Sequence, residues 1–465
     1  MVLQPQDDYG QMNDIQSKYN VPVPRYTSYP PANFFHEGVG EREFVTAIEC
    51  SNNERPSQLS FYIHFPYCEQ LCHYCGCNSY VRSKGADDQA YFEALLKEID
   101  LITERIDPSR KIAQIHFGGG SPSIAAPQFL GRVIDKLTSR FDLIERPEIA
   151  IEGHPGHLDR KGYEELLALG FTRMSLGVQD FSPSVLQAVH RIPPMMPIEE
   201  VRELLSDRGV PLNLDFIYGL PLQTPDSFEA TIQRAIDLRP SRLVTFSYAH
   251  VPSMFPAQKL LERHGLPTDD AKAEMYRRAR HRLLDSGYRQ IGLDHFVLPS
   301  DELFQAAQEH TLHRNFQGYC SRRTTGQVYA FGVSAISQLN SAYTQNTKHI
   351  PSYLRSISEG KLPILRGYLL TEEEQITREV ITDLMCNERL SWSDIASIVG
   401  QTPEEVRKAT AYDAIEMKQL EVDGLIRLTD DGFELATPGS PFLRYVASRL
   451  DPLLRNTRNT YSKPI

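Results

Sequence analysis

The chain predicts an α/β fold built on a parallel sheet, and three observations carry that expectation. Short apolar runs alternate with helical patterns six times between Leu59 and about Gln338. Glycines and isolated polar residues stand at the ends of those runs, where apolar residues would otherwise continue. Four of the seven cysteines fall within ten residues directly after the first run. Alternating strand and helix signals mean β-α-β units, which set parallel strands side by side with helices outside them.

The elements follow in order. Residues 1 to about 35 read as irregular, because prolines stand at 22, 24, 30 and 31 and no helical apolar period runs through them. In 59–65, Leu59, Phe61, Ile63 and Phe65 alternate with Ser60, Tyr62 and His64, the period of a half-buried strand. Further strands are expected at 112–117, 148–153, 173–178, 212–218 and 243–249, with helices at 89–106, 128–140, 160–169, 199–207 and 227–238. Beyond 371, helical patterns at 371–386, 392–398 and 403–419 precede a hairpin in 424–435 with an Asp431-Gly432 turn signal. Three helices and a hairpin resemble a winged helix. The expected division is an arm over 1–55, a main unit over 56–370 and a smaller C-terminal unit over 371–465.

Composition narrows the function classes. The formal net charge of -11 argues against a general nucleic-acid or anionic-membrane surface, since phosphate contacts need clustered cations. The polar N-terminus lacks an apolar signal core, so a reducing cytoplasm is the expected compartment.

The cysteines run Cys68-x3-Cys72-x2-Cys75-x-Cys77. Three thiolates on one short loop can hold three irons of a [4Fe-4S] cluster and leave the fourth open to an outside ligand. Structural zinc usually takes two separated pairs, although His64 or His73 could complete a compressed site. A disulfide is open on cysteine count, but nothing marks an oxidising compartment. Gly118-Gly119-Gly120 follows a strand and lets backbone approach a ligand closely. It lacks the Gly-Lys-Ser/Thr ending of a phosphate loop; a plain tight turn is the alternative. Glu152, Gln179 and Asp215 sit at or near strand ends, where three polar residues suggest a ligand-lined rim and one alone would suggest only a cap.

With these residues in hand, a family resemblance can be stated. The C-x3-C-x2-C loop resembles that of the radical S-adenosylmethionine (SAM) enzymes. The extension Cys75-Gly-Cys-Asn78 is similar to the oxygen-independent coproporphyrinogen III oxidases in particular, as are PRYTSYP (24–30), GGGSPS (118–123), GVQDF (177–181), DFIYGLP (215–221), DHF (294–296) and HRNFQGY (313–319). The resemblance implies an incomplete six-unit (βα)6 radical SAM barrel with an N-terminal lid segment and a smaller, mostly helical, winged-helix-like C-terminal domain. It implies that Cys68, Cys72 and Cys75 hold the cluster and that Tyr62, Gly119 and Glu152 contact the SAM bound to it. Those three cysteines and Tyr62 make up the implied catalytic set. It further implies a second SAM site lined by Tyr74, Gly120, Ser121, Gln179, Arg191, Asp215, Ala249 and Ile336. After Arg191 the chain departs from the family pattern, with prolines at 193, 194 and 197 that delay the next helix.

The implied reaction converts two propionates of coproporphyrinogen III to vinyl groups, giving protoporphyrinogen IX. The implied partners are a reductant such as flavodoxin or ferredoxin and an electron acceptor, with the protein a monomer. A substrate with four carboxylates needs cationic partners in a buried site, and Arg25 and Arg314 are the candidates. Two other readings stand beside this one: a heme chaperone of related sequence, and a radical SAM methyltransferase that degrades heme.

Overall fold

A computed structural model describes residues 18–82, 88–321 and 327–456 of the chain. Residues 1–17 of the expected arm and 457–465 of the expected C-terminal unit lie outside the described residues.

Six parallel strands form the heart of the fold: β1 (Leu59–Phe65), β2 (Ile112–Gly119), β3 (Leu143–Gly153), β4 (Arg173–Gln179), β5 (Leu212–Tyr218) and β6 (Arg242–Ser247). They lie in sequence order, each pairing with the next. Parallel strands covered on both faces need apolar residues nearly throughout. β1 is buried at every position except Tyr62, which is half-buried and faces the site described below. In β4 the alternation is cleaner: Met174, Leu176 and Val178 are buried, whereas Ser175, Gly177 and Gln179 are partly open.

Helix α1 (Glu41–Ser51) precedes β1 and buries Phe44, Ala47 and Ile48 in the main core. The connections between the strands carry α2 (Asp88–Thr103), α3 (Pro127–Thr138), α4 (Arg160–Ala168), α5 (Pro183–Ala188), α6 (Ile198–Ser206) and α7 (Pro225–Asp237). Local signals set their ends: Asp159 accepts the Gly162 N–H ahead of α4, and Thr224 with Ser227 makes a reciprocal cap on α7. Helix α8 (Asp269–Asp285) then packs along α7.

The sheet extends past the six expected strands. On the β6 side, β7 (Arg289–Ile291) and β8 (His295–Val297) add antiparallel to it. A separate hairpin, β9 (Leu312–Asn315) with β10 (Gly318–Ser321), carries HRNFQGY. On the other side β11 (Val328–Phe331) pairs parallel to β1, followed by antiparallel β12 (Ile336–Gln338), β13 (Ala342–Asn346) and β14 (Ile364–Leu369). The order is β14-β13-β12-β11-β1-β2-β3-β4-β5-β6-β8-β7, so β14, which His36 bridges at Gly367, and β7 are the edge strands and, among the described residues, the sheet does not close.

Beyond it lie α11 (Glu372–Asn387), α12 (Trp392–Val399), α13 (Pro403–Ala409) and α14 (Ala414–Val422), the helices at Glu302–Gln308 and Ile350–Ser358 being α9 and α10. The single helix expected over 403–419 is two helices. Asp413 caps the second by accepting from the Ile415 and Glu416 N–H groups, which stops the first from running through. A three-stranded sheet of β15 (Arg389–Ser391), β17 (Gly432–Leu435) and β16 (Ile426–Thr429), in that order, contains the expected hairpin. Its turn residues are Asp430 and Asp431, and Gly432 is already on the strand. Gly432 is required there because a Cβ would lie 2.0 Å from the Leu390 carbonyl oxygen.

The N-terminal segment packs on this C-terminal unit. Tyr19, Tyr26 and Tyr29 share a core with Leu384, Trp392, Phe433 and Val446. The Tyr26 hydroxyl donates to Asp451 Oδ2 at 2.9 Å.

Candidate functional site

The cysteine loop leaves β1 at its C-terminal end. A short parallel pair, Tyr67–Cys68 with Tyr80–Val81, ties off its base: Tyr80 N donates to Pro66 O at 2.7 Å and Arg82 N to Cys68 O at 2.8 Å. Inside the loop, Cys75 N donates to Cys72 O at 3.1 Å. All seven cysteines are free thiols; Cys68, Cys72 and Cys75 are partly buried and Cys77 is exposed. The three thiols share one electrostatic environment. Burial, and then the charges of Cys75 and Cys72, push the Cys68 thiol up to about 12. The Cys75 thiol is lowered to about 6, chiefly by its hydrogen bond with the Cys77 thiol. Three soft sulfur donors on one loop are the donor set of an iron-sulfur cluster. Among the described residues no three His, Cys, Asp or Glu side chains, those of the cysteine loop included, are already grouped around a metal position.

The glycine loop at the end of β2 lies against that base. Gly120 N donates to Phe65 O at 2.7 Å and Ser121 N to Tyr67 O at 2.9 Å. A Cβ at Gly118 would lie 2.7 Å from Glu152 Oε1 and 2.9 Å from the Tyr62 ring, and Gly119 has φ +111. These close approaches bring Tyr62, Gly119 and Glu152 together. Glu152 accepts from Gly119 N at 3.2 Å, and its other oxygen lies 3.0 Å from His116 Nε2. Burial alone would lower the His116 pKa, but the Glu152 carboxylate overrides it and the net shift is upward. Tyr62 Oη lies 3.2 Å from His64 Nδ1, and His64 Nε2 lies 3.2 Å from Asn78 O in the cysteine loop.

Arg191 joins the cysteine loop to β4. Its Nη1 donates to Cys72 Sγ at 3.3 Å and its Nη2 to the Gly177 carbonyl oxygen. The backbone delivers it there: α5 stops at Ala188, His190 turns through φ 56, and Arg191 N returns to Leu186 O at 2.9 Å. The prolines at 193, 194 and 197 follow this turn and leave it undisturbed. Beside it Gln179 has φ 70 at the end of β4, and its buried Oε1 has no hydrogen-bond partner, as a group waiting for a ligand would. Asp215 on β5 accepts from Ser175 Oγ at 3.0 Å, and burial raises its pKa to about 7.

Tyr74 and Ala249 meet through a residue the sequence did not single out. Gln258 Nε2 donates to both carbonyl oxygens, each at 3.2 Å, and its Oε1 accepts from Val251 N at 2.6 Å. Ala249 lies two residues past β6 and not within it, the predicted strand having been set slightly late. Ile336 stands apart from this group. It opens β12, two strands from β1, and packs with Phe35, Phe316 and Tyr343. His116 and Ser175 were also missed, although the period of two from Gly118 and Gly177 places both on the inner face of their strands.

Arg314 is stacked on Tyr319 at 4.7 Å, and its charge is met by Asp294, which pairs with His295 at 2.7 Å.

An open parallel sheet with a three-cysteine loop after its first strand and a glycine loop after its second defines a radical SAM protein. The model of the Radical SAM superfamily matches residues 62–235, and that of the HemN C-terminal domain matches 370–442. Curated proteins named oxygen-independent coproporphyrinogen III oxidase match along almost their whole length. The one from Pseudomonas aeruginosa is 36% identical over 97% of this chain and 98% of its own, and the one from Escherichia coli 37% identical over 94% of each. The solved structure described as coproporphyrinogen III oxidase (HemN) from Escherichia coli, a radical SAM enzyme, superposes with a TM-score of 0.84 at 36% identity, covering 92% of this chain and 97% of that one. The chain belongs to the family of oxygen-independent coproporphyrinogen III oxidases. The fold is therefore the incomplete radical SAM barrel with a helical C-terminal domain, and its cofactors are a [4Fe-4S] cluster and SAM.

Proposed function

We propose that this protein oxidatively decarboxylates two propionate side chains of coproporphyrinogen III to vinyl groups, giving protoporphyrinogen IX without oxygen. The observation that supports it most is the meeting of the cysteine loop, the glycine loop and Glu152 at one end of the sheet, in a chain alike in full length to coproporphyrinogen III oxidases. For each vinyl group formed, one hydrogen atom, one electron and carbon dioxide leave the propionate. When bound, the cluster and SAM supply the reducing electron and the 5'-deoxyadenosyl radical that removes the hydrogen from the propionate β-carbon.

The chain's own residues position and shield. Cys68, Cys72 and Cys75 hold the cluster, with Cys77 outside the ligand set. Tyr62, Gly119 and Glu152 receive the first SAM: the Glu152 carboxylate suits an ammonium group, and Gly119 leaves backbone room for it. Tyr74, Gly120, Ser121, Gln179, Arg191, Asp215 and Ala249 line a second SAM, with Ile336 approaching from the β11–β12 side. The orphaned Gln179 oxygen and the buried Asp215 carboxyl are groups that such a ligand would satisfy. Residues 1–55 act as an arm and lid, 56–370 as barrel and extension, and 371–465 as a cover. The protein works in the cytoplasm as a monomer, with an external reductant such as flavodoxin or ferredoxin and a separate electron acceptor. Free thiols at all seven cysteines suit a reducing compartment, and no helix of the described residues is long and apolar enough to cross a membrane.

Anaerobic reconstitution with iron and sulfide, then incubation with SAM, reductant and coproporphyrinogen III, tests the reading. Product bearing two vinyl groups together with 5'-deoxyadenosine is expected. A loaded protein that binds heme and leaves coproporphyrinogen unchanged would favour the chaperone, and an opened, methylated macrocycle the methyltransferase.

A further inference from the structure

Consecutive residues of the cysteine loop are gripped from outside the loop by a single turn. Helix α5 ends at Ala188, and a helix end leaves carbonyl oxygens without partners inside the helix. Two carbonyls of the turn that follows find theirs in the cysteine loop: His73 N donates to Val189 O at 3.0 Å and Gln70 Nε2 to His190 O at 2.8 Å. The His190 side chain closes the contact in the opposite sense. Its Nδ1–H donates to Leu71 O at 2.9 Å, and its ring stacks on that of His73 with centroids 4.8 Å apart and planes 10° from parallel. Arg191 reaches Cys72 Sγ. Residues 70 to 73 are thus each met by residue 189, 190 or 191.

His190 holds the centre of this grip in a conformation that costs free energy. Its φ of 56 lies in the left-handed region, which residues other than glycine adopt only where surrounding contacts over-determine it. Burial in a core does not supply those contacts, because His190 is exposed. Its ring contacts, Leu71 O and the His73 ring, both belong to the cysteine loop. The loop in turn gains from them. Fixing a surface loop costs conformational entropy at every residue, and its own backbone bond from Cys75 N to Cys72 O closes only one turn.

We propose that His190 is a positioning residue for the iron-sulfur cluster, clamping residues 70–73 against the turn after α5 before iron arrives, so that the loop closes on the cluster from one side already anchored. The inference rests on the proposed ligand set of Cys68, Cys72 and Cys75 and adds the residue that shapes the loop carrying it. A segment ordered in advance loses less entropy when the cluster binds, so the cluster is held more tightly and released more slowly.

The test compares full-length wild type with His190→Gly, which keeps the left-handed backbone and removes the ring, and His190→Asn, which tolerates that backbone and keeps a side-chain N–H. Amide hydrogen exchange of the iron-free, anaerobic protein reads the loop directly. In His190→Gly the amides of residues 70–74 should exchange about tenfold faster while those of β1 and β4 keep the wild-type rate, and the reconstituted cluster should be lost to a chelator about tenfold faster. His190→Asn should recover part of both. Loop exchange or cluster loss within twofold of wild type in a folded His190→Gly overturns the clamp, and so does faster exchange that spreads through β1 and β4, the mark of a general loss of stability. Should His190→Gly fail to fold, Gln70→Leu, which removes only the bond to His190 O, is held to the same readings. A wild-type protein that takes up no cluster would instead bring down the proposed ligand set, and exchange in the iron-free protein would still decide the clamp.

Discussion

Arg191 shows how one side chain ties the cofactor loop to the barrel. Its guanidinium reaches a cysteine sulfur and a strand carbonyl at once, a geometry that the single ammonium of lysine cannot reproduce. Arg191→Lys should therefore assemble its cluster normally, by iron and sulfide content, but produce deoxyadenosine about tenfold or more slowly. Glu98 is a second residue with a measurable signature. Fully buried, it accepts from Gly332 N at 2.7 Å, Asn346 Nδ2 at 2.6 Å and Tyr353 Oη at 2.7 Å, and burial raises its pKa to about 7. A raised carboxyl pKa means that the folded protein prefers the protonated form. Its contribution is complete below the unfolded value near 4.5 and is lost as pH rises towards 7. The stability of wild type relative to Glu98→Gln should fall by on the order of 3 kcal/mol across that interval, measured by denaturation at several pH values. Equal pH profiles would contradict it. Neither residue was equally legible: Arg191 stood out by position in the family pattern, whereas Glu98 looked like any helix carboxylate until the fold surrounded it.

At the scale of elements, β1 and β5 lie at the predicted residues because apolar and polar residues alternate in both, Leu59 to Phe65 in one and Leu212-Asn-Leu-Asp-Phe216 in the other, a strong local signal. β11 was not foreseen. Four apolar residues, Val328–Phe331, carry no period long enough to separate strand from loop, and their pairing beside β1 is decided 268 residues away along the chain, as the register Ser60 to Val328 shows. The split between α13 and α14 was hidden by apolar spacing that continues across it, and Asp413 was the overlooked stop signal. Gly432 makes the C-terminal sheet testable. Its φ of +150 and the 2.0 Å approach of Leu390 O mean that Gly432→Ala must move β15 away from β17. A loss of about 2 kcal/mol or more is expected in thermal or urea unfolding, against less than about 0.5 kcal/mol for an exposed control such as Ile415→Ala.

For the whole molecule, the N-terminal segment packs on the C-terminal unit, joined to its core by the tyrosines of PRYTSYP. The motif looked like a lid from its place in the family pattern, but only the fold shows that its tyrosines face the C-terminal core while its arginine faces out. The fold class and the cysteine loop were readable because both are written in local spacing. The partners of Tyr74 and Ala249 were not, since Gln258 joins them only in three dimensions. All of this depends on three thiolates sharing one cluster with an open iron. The most direct measurement is the electron paramagnetic resonance spectrum of the reduced, reconstituted protein before and after SAM is added. The account predicts a cluster signal that changes on SAM addition in wild type and in Cys77→Ser, and that is lost in each of Cys68→Ser, Cys72→Ser and Cys75→Ser. Retention in any of those three, or loss in Cys77→Ser, would contradict it.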